Sequence, residues 1–307
     1  MKAILIYNPM SGKQKIENHL SLIEEKIKIK YDQVDIVPTK YPEHATDIAK
    51  EACDKKYDLL LISGGDGTFN ECVNGVMDHS YKPKIGYIPS GTTCDIGISL
   101  GLSKNIEKAL NIILDNQSVK MDVVKTNDRY SCYVTGTGAF IDISYVTDSK
   151  LKKKIGHLAY IFKAAQEYFS IPKMRMTVYH DEGKVSGIYS LMLIINSKRV
   201  AGLNMVYKPV LDDGQVDVIM FRNFFPLNSI LYLISYIFPF WSTPLIEKFK
   251  TTKLEVRTNS NESWNIDGEY GGKGNKIIKV KKQAIEIFVP KKVRDRYFIN
   301  QWWIIKL

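Results

Sequence analysis

Residues 57–71 read YDLLLISGGDGTFNE, and this stretch indicates how the first part of the chain folds. The apolar run at 57–62 has the composition of a buried strand, and a helix is predicted at 68–78. Three glycines lie between them. Glycine allows a sharp turn or a close approach of the backbone to a ligand. The stretch therefore predicts a strand, a glycine-rich loop and a helix in succession.

Strands alternate with helices on both sides of this stretch. Apolar runs predict strands at 3–7, 33–37 and 84–88, and helical periodicity predicts helices at 14–30, 43–55 and 104–116. Such alternation is typical of right-handed β-α-β units and a parallel sheet. Ligands of such sheets bind at the carboxyl ends of the strands. The loops after the strands are therefore the first place to look for a site.

The pattern changes after about residue 122. Short alternating runs predict strands at 130–135, 174–180, 185–195, 215–221, 252–257, 276–280 and 284–289. Apolar helices are predicted at 156–169 and 228–238. We expect an α/β protein with a Rossmann-like N-terminal nucleotide domain at 1–122, followed by a mostly antiparallel β-sandwich domain at 123–291. The C-terminal segment 292–307 is expected to pack back on the first domain.

Charge and composition narrow the class of protein. The chain is 45% apolar, which is typical of a globular protein and excludes general disorder. Residues 1–122 carry 15 Lys and Arg against 17 Asp and Glu, whereas 123–307 carry 28 against 16. The basic second part predicts an anionic partner. A membrane surface is expected rather than a nucleic acid, because no nucleic-acid-binding motif is found.

Cysteine usage and hydropathy bear on the compartment. The four cysteines are far apart and form no CxxC pair, which favours reduced thiols in the cytoplasm.

The apolar run at 224–241 is interrupted at both ends by prolines and is shorter than the roughly 20 apolar residues of a membrane span. We expect it to be buried or interfacial. Lysine clusters at 150–154, 279–282 and 291–294 predict peripheral contact with the inner face of a membrane. A homodimer is compatible with the sequence.

The loop at 64–71 is the sharpest functional signal. Its glycines, followed by the N-terminus of a helix, suit a polyphosphate, and Asp66 beside them suits an intervening divalent cation. The alternative is a tight turn with Asp66 or Thr68 as an ordinary helix cap. Further loops at 8–13 and 89–95 supply glycine and hydroxyl groups after two other strands. Together they predict a nucleotide site, although no Walker A loop occurs.

In these motifs the chain resembles the diacylglycerol kinase catalytic-domain family, which includes bacterial lipid kinases and, more distantly, sphingosine and ceramide kinases. The run GGDGTFNE at 64–71 carries the family signature, and NPMSG at 8–12 and PSGT at 89–92 match in order. LDDG at 211–214 and IDGE at 266–269 favour the lipid kinases over other users of GGDGT.

The resemblance implies a kinase with ATP in a cleft between two domains. It implies ATP contacts from the residues of the three loops and one neighbouring threonine: Asn8, Pro9, Met10, Ser11, Gly12, Thr39, Gly65, Asp66, Gly67, Thr68, Phe69, Asn70, Glu71 and Thr92. Glu269 and Asp267 would be the catalytic carboxylates, with Asp66 as a further catalytic acid. Asp213 would help to hold a structural Mg²⁺. Two acids at positions i and i+2 of a straight strand would face the same side, and the alternative for this run is a hairpin loop with exposed acids. Which of them is the base stays open, with Glu269 preferred.

Two positions depart from the family pattern. Cys94 stands where the family usually has Asn, and Ile98 stands where it usually has Arg.

The expected function is phosphorylation of diacylglycerol or a related lipid by Mg-ATP. One alternative is a soluble kinase of the NAD kinase type, which shares the GGDGT run. The other is a catalytically inactive regulator that binds lipid or nucleotide.

Overall fold

The computed structural model describes residues 1–12, 16–115, 117–139, 171–204, 209–237 and 243–299. Three predicted features lie wholly or partly outside these ranges: the helix at 156–169, the lysine cluster at 150–154 and, from residue 300 onward, the C-terminal segment 292–307. The chain forms two compact units. The first comprises Met1–Val123, Val210–Gly214 and Lys281–Leu307, and the second comprises Val124–Pro209 and Gln215–Val280, each over its described residues.

The first unit begins with four parallel strands. They are β1 (Lys2–Tyr7), β2 (Gln33–Pro38), β3 (Leu59–Gly64) and β4 (Lys84–Pro89). Their order across the sheet is β4, β3, β1, β2. Every residue of β3 is buried, which explains why its sequence is a continuous apolar run rather than an alternating one.

Helices connect these strands. A 3₁₀ turn at Ile16–His19 leads into α1 (Leu20–Lys28), and the others are α2 (His44–Asp54), α3 (Asp66–Met77), α4 (Asp95–Ser99) and α5 (Ile106–Leu114). The apolar face of α1 buries Ile23 and Ile27 in a core shared with β1, β3 and α5. The predicted alternation of strand and helix is therefore present in the first unit.

The second half of the chain is dominated by strands. They are β5 (Ser118–Thr126), β6 (Arg129–Ser131), β7 (Val134–Gly138), β8 (Met174–His180), β9 (Gly183–Ile195), β10 (Arg199–Val200), β11 (Leu203–Asn204), β12 (Val216–Arg222), β13 (Ile246–Thr251), β14 (Lys253–Thr258), β15 (Ser263–Ile266), β16 (Glu269–Lys273) and β17 (Lys276–Phe288). Helix α6 (Asn228–Ile237) lies between β12 and β13, and α7 (Lys291–Tyr297) follows β17.

The strand pairs within the second unit are antiparallel. β15 pairs with β16 and β7, β9 pairs with β7, β8 and β12, and β14 pairs with β8 and the start of β17. Two details differ from the predicted strands. The run at 130–135 divides into β6 and β7, and the runs at 276–280 and 284–289 are one strand, β17. Gln283, which lies between the two predicted runs, has a φ of 50° and interrupts the regular extended backbone of β17.

Two segments return to the first unit, which departs from the predicted second domain of 123–291. The main-chain N–H of Leu211 donates to the Tyr297 carbonyl at 2.8 Å. The Asp122 carboxylate accepts from the N–H groups of Gly214 and Gln283 at 2.6 and 2.7 Å. Buried main-chain groups need partners, and these partners lie far away in sequence, so hydrophobic periodicity does not reveal them.

The structure describes residues 224–237 of the apolar run at 224–241. Among the described helices, none is both long and apolar enough to cross a bilayer.

Candidate functional site

Three loops at the carboxyl ends of β1, β3 and β4 lie against each other. The N–H of Asn8 donates to the Ser63 carbonyl at 2.9 Å. The N–H of Ser90 donates to the Gly64 carbonyl, also at 2.9 Å. The first loop is thus joined to the second, and the second to the third. The three motifs that the sequence predicts to form one site are adjacent.

Two glycines allow this close approach. Gly12 has a φ of 67°, and a Cβ there would lie 1.8 Å from the Ser90 carbonyl oxygen. A Cβ on Gly91 would lie 2.6 Å from the Cα of Gly65. Both distances are far below van der Waals contact, so a side chain at either position would push the loops apart.

The N-terminus of α3 is at the centre of these loops. Gly65 is its N-cap residue and supplies no side-chain acceptor to the first turn. Neither Asp66 nor Thr68 is the cap, so the alternative of an ordinary capped turn does not describe this helix start. The Asn8 side chain donates to the Thr68 hydroxyl at 3.4 Å and accepts from the N–H of Met10 at 2.9 Å. A helix N-terminus without a side-chain cap suits an anionic ligand.

The Asp66 carboxylate connects the second loop to the start of α4. It accepts from the main-chain N–H groups of Asp95 and Ile96 at 2.8 and 3.1 Å. Burial raises the pKa of the Asp66 carboxyl to about 6, and these two donors oppose the rise. The sequence indicated a role for Asp66 beside phosphates but not that it would hold α4.

Cys94 and Ile98, the two departures from the family pattern, lie at α4. Cys94 has a φ of 54°, a left-handed conformation in which Asn is the more common residue. Burial raises the pKa of its thiol to about 11, so it is a neutral side chain. Ile98 is partly exposed, which places an apolar side chain where an Arg is usual.

Other residues predicted to bind ATP lie at various depths. Phe69 is fully buried against Tyr87, with ring centroids 4.8 Å apart. The Glu71 carboxylate accepts from the N–H of Ala45 at 3.2 Å and so supports the start of α2. Thr39 directly follows β2, and its N–H donates to the Tyr7 carbonyl at 2.8 Å. A nucleotide contact stays a prediction for each of them.

Lys104 is a residue that the sequence analysis missed. Its ammonium group donates to the carbonyls of Gly91 and Thr92 at 2.9 and 2.8 Å. It therefore holds the third loop and places a positive charge beside it. No motif signals Lys104, because its role depends on the fold placing the residues before α5 next to the third loop.

In the second unit, the sequence Asp267-Gly268-Glu269 forms a tight turn between β15 and β16. Asp267 and Gly268 have φ angles of 51° and 92°, so the two acids do not lie on one straight strand. The structure has the hairpin of the alternative interpretation rather than the straight strand. A turn with two successive positive φ angles is favoured in two-residue hairpins, because its twist matches that of the flanking strands.

The two acids of this turn have different surroundings. Asp267 is only 3% exposed, and its carboxylate accepts from the N–H groups of Cys132, Tyr133 and Val134 at 2.5, 3.1 and 3.0 Å. Three donors satisfy a buried carboxylate and fix the turn against the start of β7. Asp267 therefore has the surroundings of a structural carboxylate.

Glu269 is more accessible and is paired with a cation. Its side chain is 40% exposed, and Arg129 Nη2 donates to Glu269 Oε2 at 2.5 Å. Arg129 Nη1 also donates to the carbonyl of Tyr270 at 2.9 Å. The guanidinium thus binds both a side chain and the adjacent main chain, which fixes the carboxylate. Arg129 is a second residue that the sequence analysis missed.

Asp213 lies beside two other acids of the first unit. Burial raises the pKa of the Asp122 carboxyl to about 6, and the negative charges of Asp213 and Asp212 contribute to the rise. Within the described ranges, no group of three His, Cys, Asp or Glu side chains could hold a metal ion. A cation at Asp213 would therefore need main-chain oxygens as well.

The mixed α/β fold carries an uncapped helix N-terminus among glycine loops, and a separate unit carries an accessible carboxylate held by arginine. The first arrangement suits phosphate groups and the second suits a general base, and phosphoryl transfer to a hydroxyl uses both.

Comparison with known proteins gives the family. Residues 2–126 match the sequence profile of the diacylglycerol kinase catalytic domain. The chain is 33% identical to a diacylglycerol kinase of Staphylococcus carnosus (strain TM300) over 306 residues, covering 98% of this chain and 99% of that protein. It is also 33% identical to a Staphylococcus epidermidis diacylglycerol kinase, covering 95% and 93%.

Solved structures share the fold. A crystal structure of a diacylglycerol kinase from Bacillus anthracis str. Sterne has a TM-score of 0.75 at 21% identity, covering 95% of this chain and 98% of that one. A second structure from the same organism has a TM-score of 0.81 at 23% identity. The chain belongs to the diacylglycerol kinase family and is a lipid kinase. The resemblance seen in the sequence motifs is thereby confirmed.

The Asp66 carboxyl makes the stability of the first unit depend on pH. Its pKa is about 6 in the folded protein against 3.8 as the ordinary value, so the folded state binds the proton more tightly. The contribution of Asp66 to the free energy of unfolding should therefore be fully present below pH 3.8 and be lost as the pH rises to about 6. One such group changes it by at most about 1.4 kcal/mol per pH unit.

Urea denaturation in EDTA without nucleotide measures this dependence. Asp66→Asn should flatten the profile between these pH values, whereas Asp47→Asn, at an exposed acid paired with Lys50, should leave it unchanged. An Asp66→Asn profile as steep as that of the parent would contradict the prediction.

Proposed function

We propose that this enzyme transfers the γ-phosphoryl group of Mg-ATP to a hydroxyl of diacylglycerol or a related lipid at the cytoplasmic face of an anionic membrane. The observation that carries the ATP assignment is the contact of three glycine loops around the uncapped N-terminus of α3. Family membership supports a lipid as the acceptor.

The first unit is proposed to bind the nucleotide, as a Rossmann-like domain. Its parallel strands in the order β4, β3, β1, β2 direct their carboxyl ends to the loops that hold Asn8, Gly65 and Gly91. Main-chain N–H groups at the start of α3 would donate to phosphate oxygens, and the helix dipole would favour their negative charge. The glycines allow the phosphates to approach the backbone without obstruction.

The second unit is proposed to be a β-sandwich that supplies the base. Glu269 would accept the proton of the lipid hydroxyl as that oxygen attacks the γ-phosphorus. Arg129 would position the Glu269 carboxylate, and Asp267 would fix the turn that carries it. The choice of Glu269 over Asp267 rests on accessibility, because three main-chain donors already surround the Asp267 carboxylate.

A divalent cation is proposed at Asp213. Burial is the main cause of the raised pKa of the neighbouring Asp122 carboxyl, the negative charges of Asp213 and Asp212 add to it, and a cation at Asp213 would lower that added repulsion. Asp213 would hold Mg²⁺ together with main-chain oxygens of neighbouring residues. When bound, Mg²⁺ supplies positive charge that stabilises this acidic region.

Phosphate transfer from labelled ATP with Mg²⁺ tests the function. The acceptors are diacylglycerol, monoacylglycerol, ceramide and sphingosine in mixed micelles, and NAD in solution. We expect turnover of a micellar lipid and none of NAD. Phosphorylation of NAD alone would support the NAD kinase alternative, and binding of ATP without any turnover would support the inactive regulator.

Arg129→Ala should lower kcat by about 10- to 100-fold, because an unpositioned base costs that much in rate. KM for the lipid should change little, because the Arg129 guanidinium is bound to the Glu269 carboxylate and the Tyr270 carbonyl and is proposed to act through that carboxylate. Arg129→Lys should restore part of the rate by keeping one donor. Steady-state kinetics on the micellar lipid measures both constants.

Arg257→Ala is the matched control, because Arg257 pairs with Glu255 on the surface of the same unit at 2.7 Å. It should leave kcat unchanged. An Arg129→Ala enzyme with parental kcat would show that Glu269 needs no positioning by arginine.

A further inference from the structure

Five large apolar side chains of the second unit are exposed near the start of α6. Ile188, Phe224, Phe225, Leu227 and Ile230 have relative exposures of 44%, 43%, 46%, 43% and 51%. We call these five residues the α6 patch. Exposed apolar side chains scattered singly are ordinary, but a group of them in one place marks an interaction surface.

Hydrogen bonds bring the members of the α6 patch together. The N–H of Asn223, directly before Phe224, donates to the Ile188 carbonyl at 2.8 Å. The N–H of Leu227 donates to the Phe224 carbonyl at 2.8 Å, which closes a turn. Leu227 directly precedes α6 and its carbonyl accepts from the N–H of Leu231 at 3.1 Å, and Ile230 lies in the first turn of the helix, so both exposed side chains lie at the start of α6.

Other side chains of α6 fix the helix to the sheet. Asn228 Nδ2 and the Tyr232 hydroxyl both donate to Ser190 Oγ, at 2.9 and 2.7 Å. Leu231 is buried in an apolar cluster with Phe221 and other side chains. A rotation of α6 that buried the patch would break these buried hydrogen bonds, which is costly. The α6 patch is therefore held outward by the fold.

Two neighbours of the α6 patch are cations, and the nearby Arg222 is paired with Glu247 at 2.7 Å. Lys173 Nζ lies 5.8 Å from the centroid of the Phe225 ring, and Arg175 is opposite Ile188 in the pairing of β8 with β9. Both cations are exposed. Residues 171–175 and 223–237 contain no acid. Apolar side chains bordered by cations suit an anionic lipid surface.

A second copy of the chain suits this surface less well. In a twofold dimer the same patch meets itself, so residues near the axis face their own counterparts. Lys173 and Arg175 would then approach the Lys173 and Arg175 of the other copy with no acid in 171–175 or 223–237 to neutralise them. An anionic lipid surface removes this repulsion.

We propose that the α6 patch inserts into the head-group region of an anionic membrane and brings the enzyme to its lipid substrate. The proposal rests on the proposed function and adds the surface through which the membrane is reached. Phe224 and Phe225 supply the apolar contact, and Lys173 and Arg175 supply the preference for negatively charged lipid.

Vesicle flotation without ATP tests the proposal. The probes are phosphatidylcholine vesicles with and without phosphatidylglycerol. Phe224→Ser combined with Phe225→Ser should weaken partitioning by at least about tenfold, because two apolar side chains no longer leave water. Tyr179→Ser combined with Ile277→Ser removes two other exposed apolar side chains of the same unit and should bind as the parent does.

A charge variant tests the second part of the proposal. Lys173→Glu combined with Arg175→Glu should weaken binding to the phosphatidylglycerol vesicles by about tenfold or more and reduce the preference for them. Equal binding by the Phe224→Ser, Phe225→Ser protein and the parent would overturn the proposal. A second result would also overturn it. If light scattering shows that the parent is a dimer and the Phe224→Ser, Phe225→Ser protein is a monomer that still binds vesicles, a second copy of the chain covers the patch.

Turnover of a short-chain, water-soluble diacylglycerol separates this proposal from the proposed function. The Phe224→Ser, Phe225→Ser protein should retain the parental rate on this acceptor and lose rate only on diacylglycerol in vesicles. If the parent phosphorylates neither acceptor, the proposed function is wrong. The flotation experiment tests membrane binding by the α6 patch independently of turnover.

Discussion

Replacing Glu269 by glutamine should lower lipid turnover by a factor of about 10²–10⁴, the usual contribution of a general base. The amide has nearly the shape of the carboxylate but cannot accept the proton of the attacking hydroxyl. ATP affinity should stay unchanged, because Glu269 belongs to the second unit and the glycine loops to the first. Initial rates on micellar diacylglycerol and calorimetric titration with ATP measure the two effects.

Glu255→Gln is the control for this experiment. Glu255 is a surface acid of the same unit that also has an arginine partner, Arg257 at 2.7 Å. Its replacement should leave the rate unchanged. A Glu269→Gln enzyme that keeps the parental rate would remove Glu269 from the mechanism. If Asp267→Asn instead abolished turnover in a protein of unchanged stability, the roles of the two acids would be reversed.

Gly12→Ala should weaken ATP binding by at least about tenfold, because the loops around α3 would have to separate. The φ of 67° alone costs a side-chain-bearing residue about 1–2 kcal/mol. In addition, the new Cβ would lie 1.8 Å from the Ser90 carbonyl oxygen. Titration with ATP measures the affinity, and thermal unfolding measures the accompanying loss of stability.

Gly274→Ala separates the two causes. Gly274 has a φ of 75°, but a Cβ there would meet nothing within 4 Å. This variant should lose stability through backbone strain alone and bind ATP as the parent does. Unchanged ATP affinity of Gly12→Ala would show that the contact between the first and third loops is not needed for the nucleotide.

The parts of the fold that could be predicted are those set by nearby residues. The strand predicted at 57–62 is β3 at Leu59–Gly64, and the helix predicted at 68–78 is α3 at Asp66–Met77. Such elements reveal themselves because their hydrophobic period reflects which side faces the core. The loops of the candidate nucleotide site were found for a related reason, since the strand ends and glycines are both visible in sequence.

The parts that could not be predicted depend on distant partners. The turn at Asp267 is fixed by main-chain donors at 132–134, and no local pattern records a bond across that separation. The same holds for Arg129 with Glu269 and for Lys104 with the third loop. Single Arg and Lys residues carry no motif, so their neighbours become known only from the fold.

The sequence by itself determined the mixed α/β class, the three glycine loops and the family, because these depend on residue types in a fixed order along the chain. The tertiary structure decided which acid of the Asp267-Gly268-Glu269 turn is buried and which is accessible. It also decided that 210–214 belongs with the first unit and that the start of α6 keeps its apolar side chains exposed. The physical reason is that burial and hydrogen bonding are properties of neighbours in space, and a linear pattern specifies only neighbours in sequence.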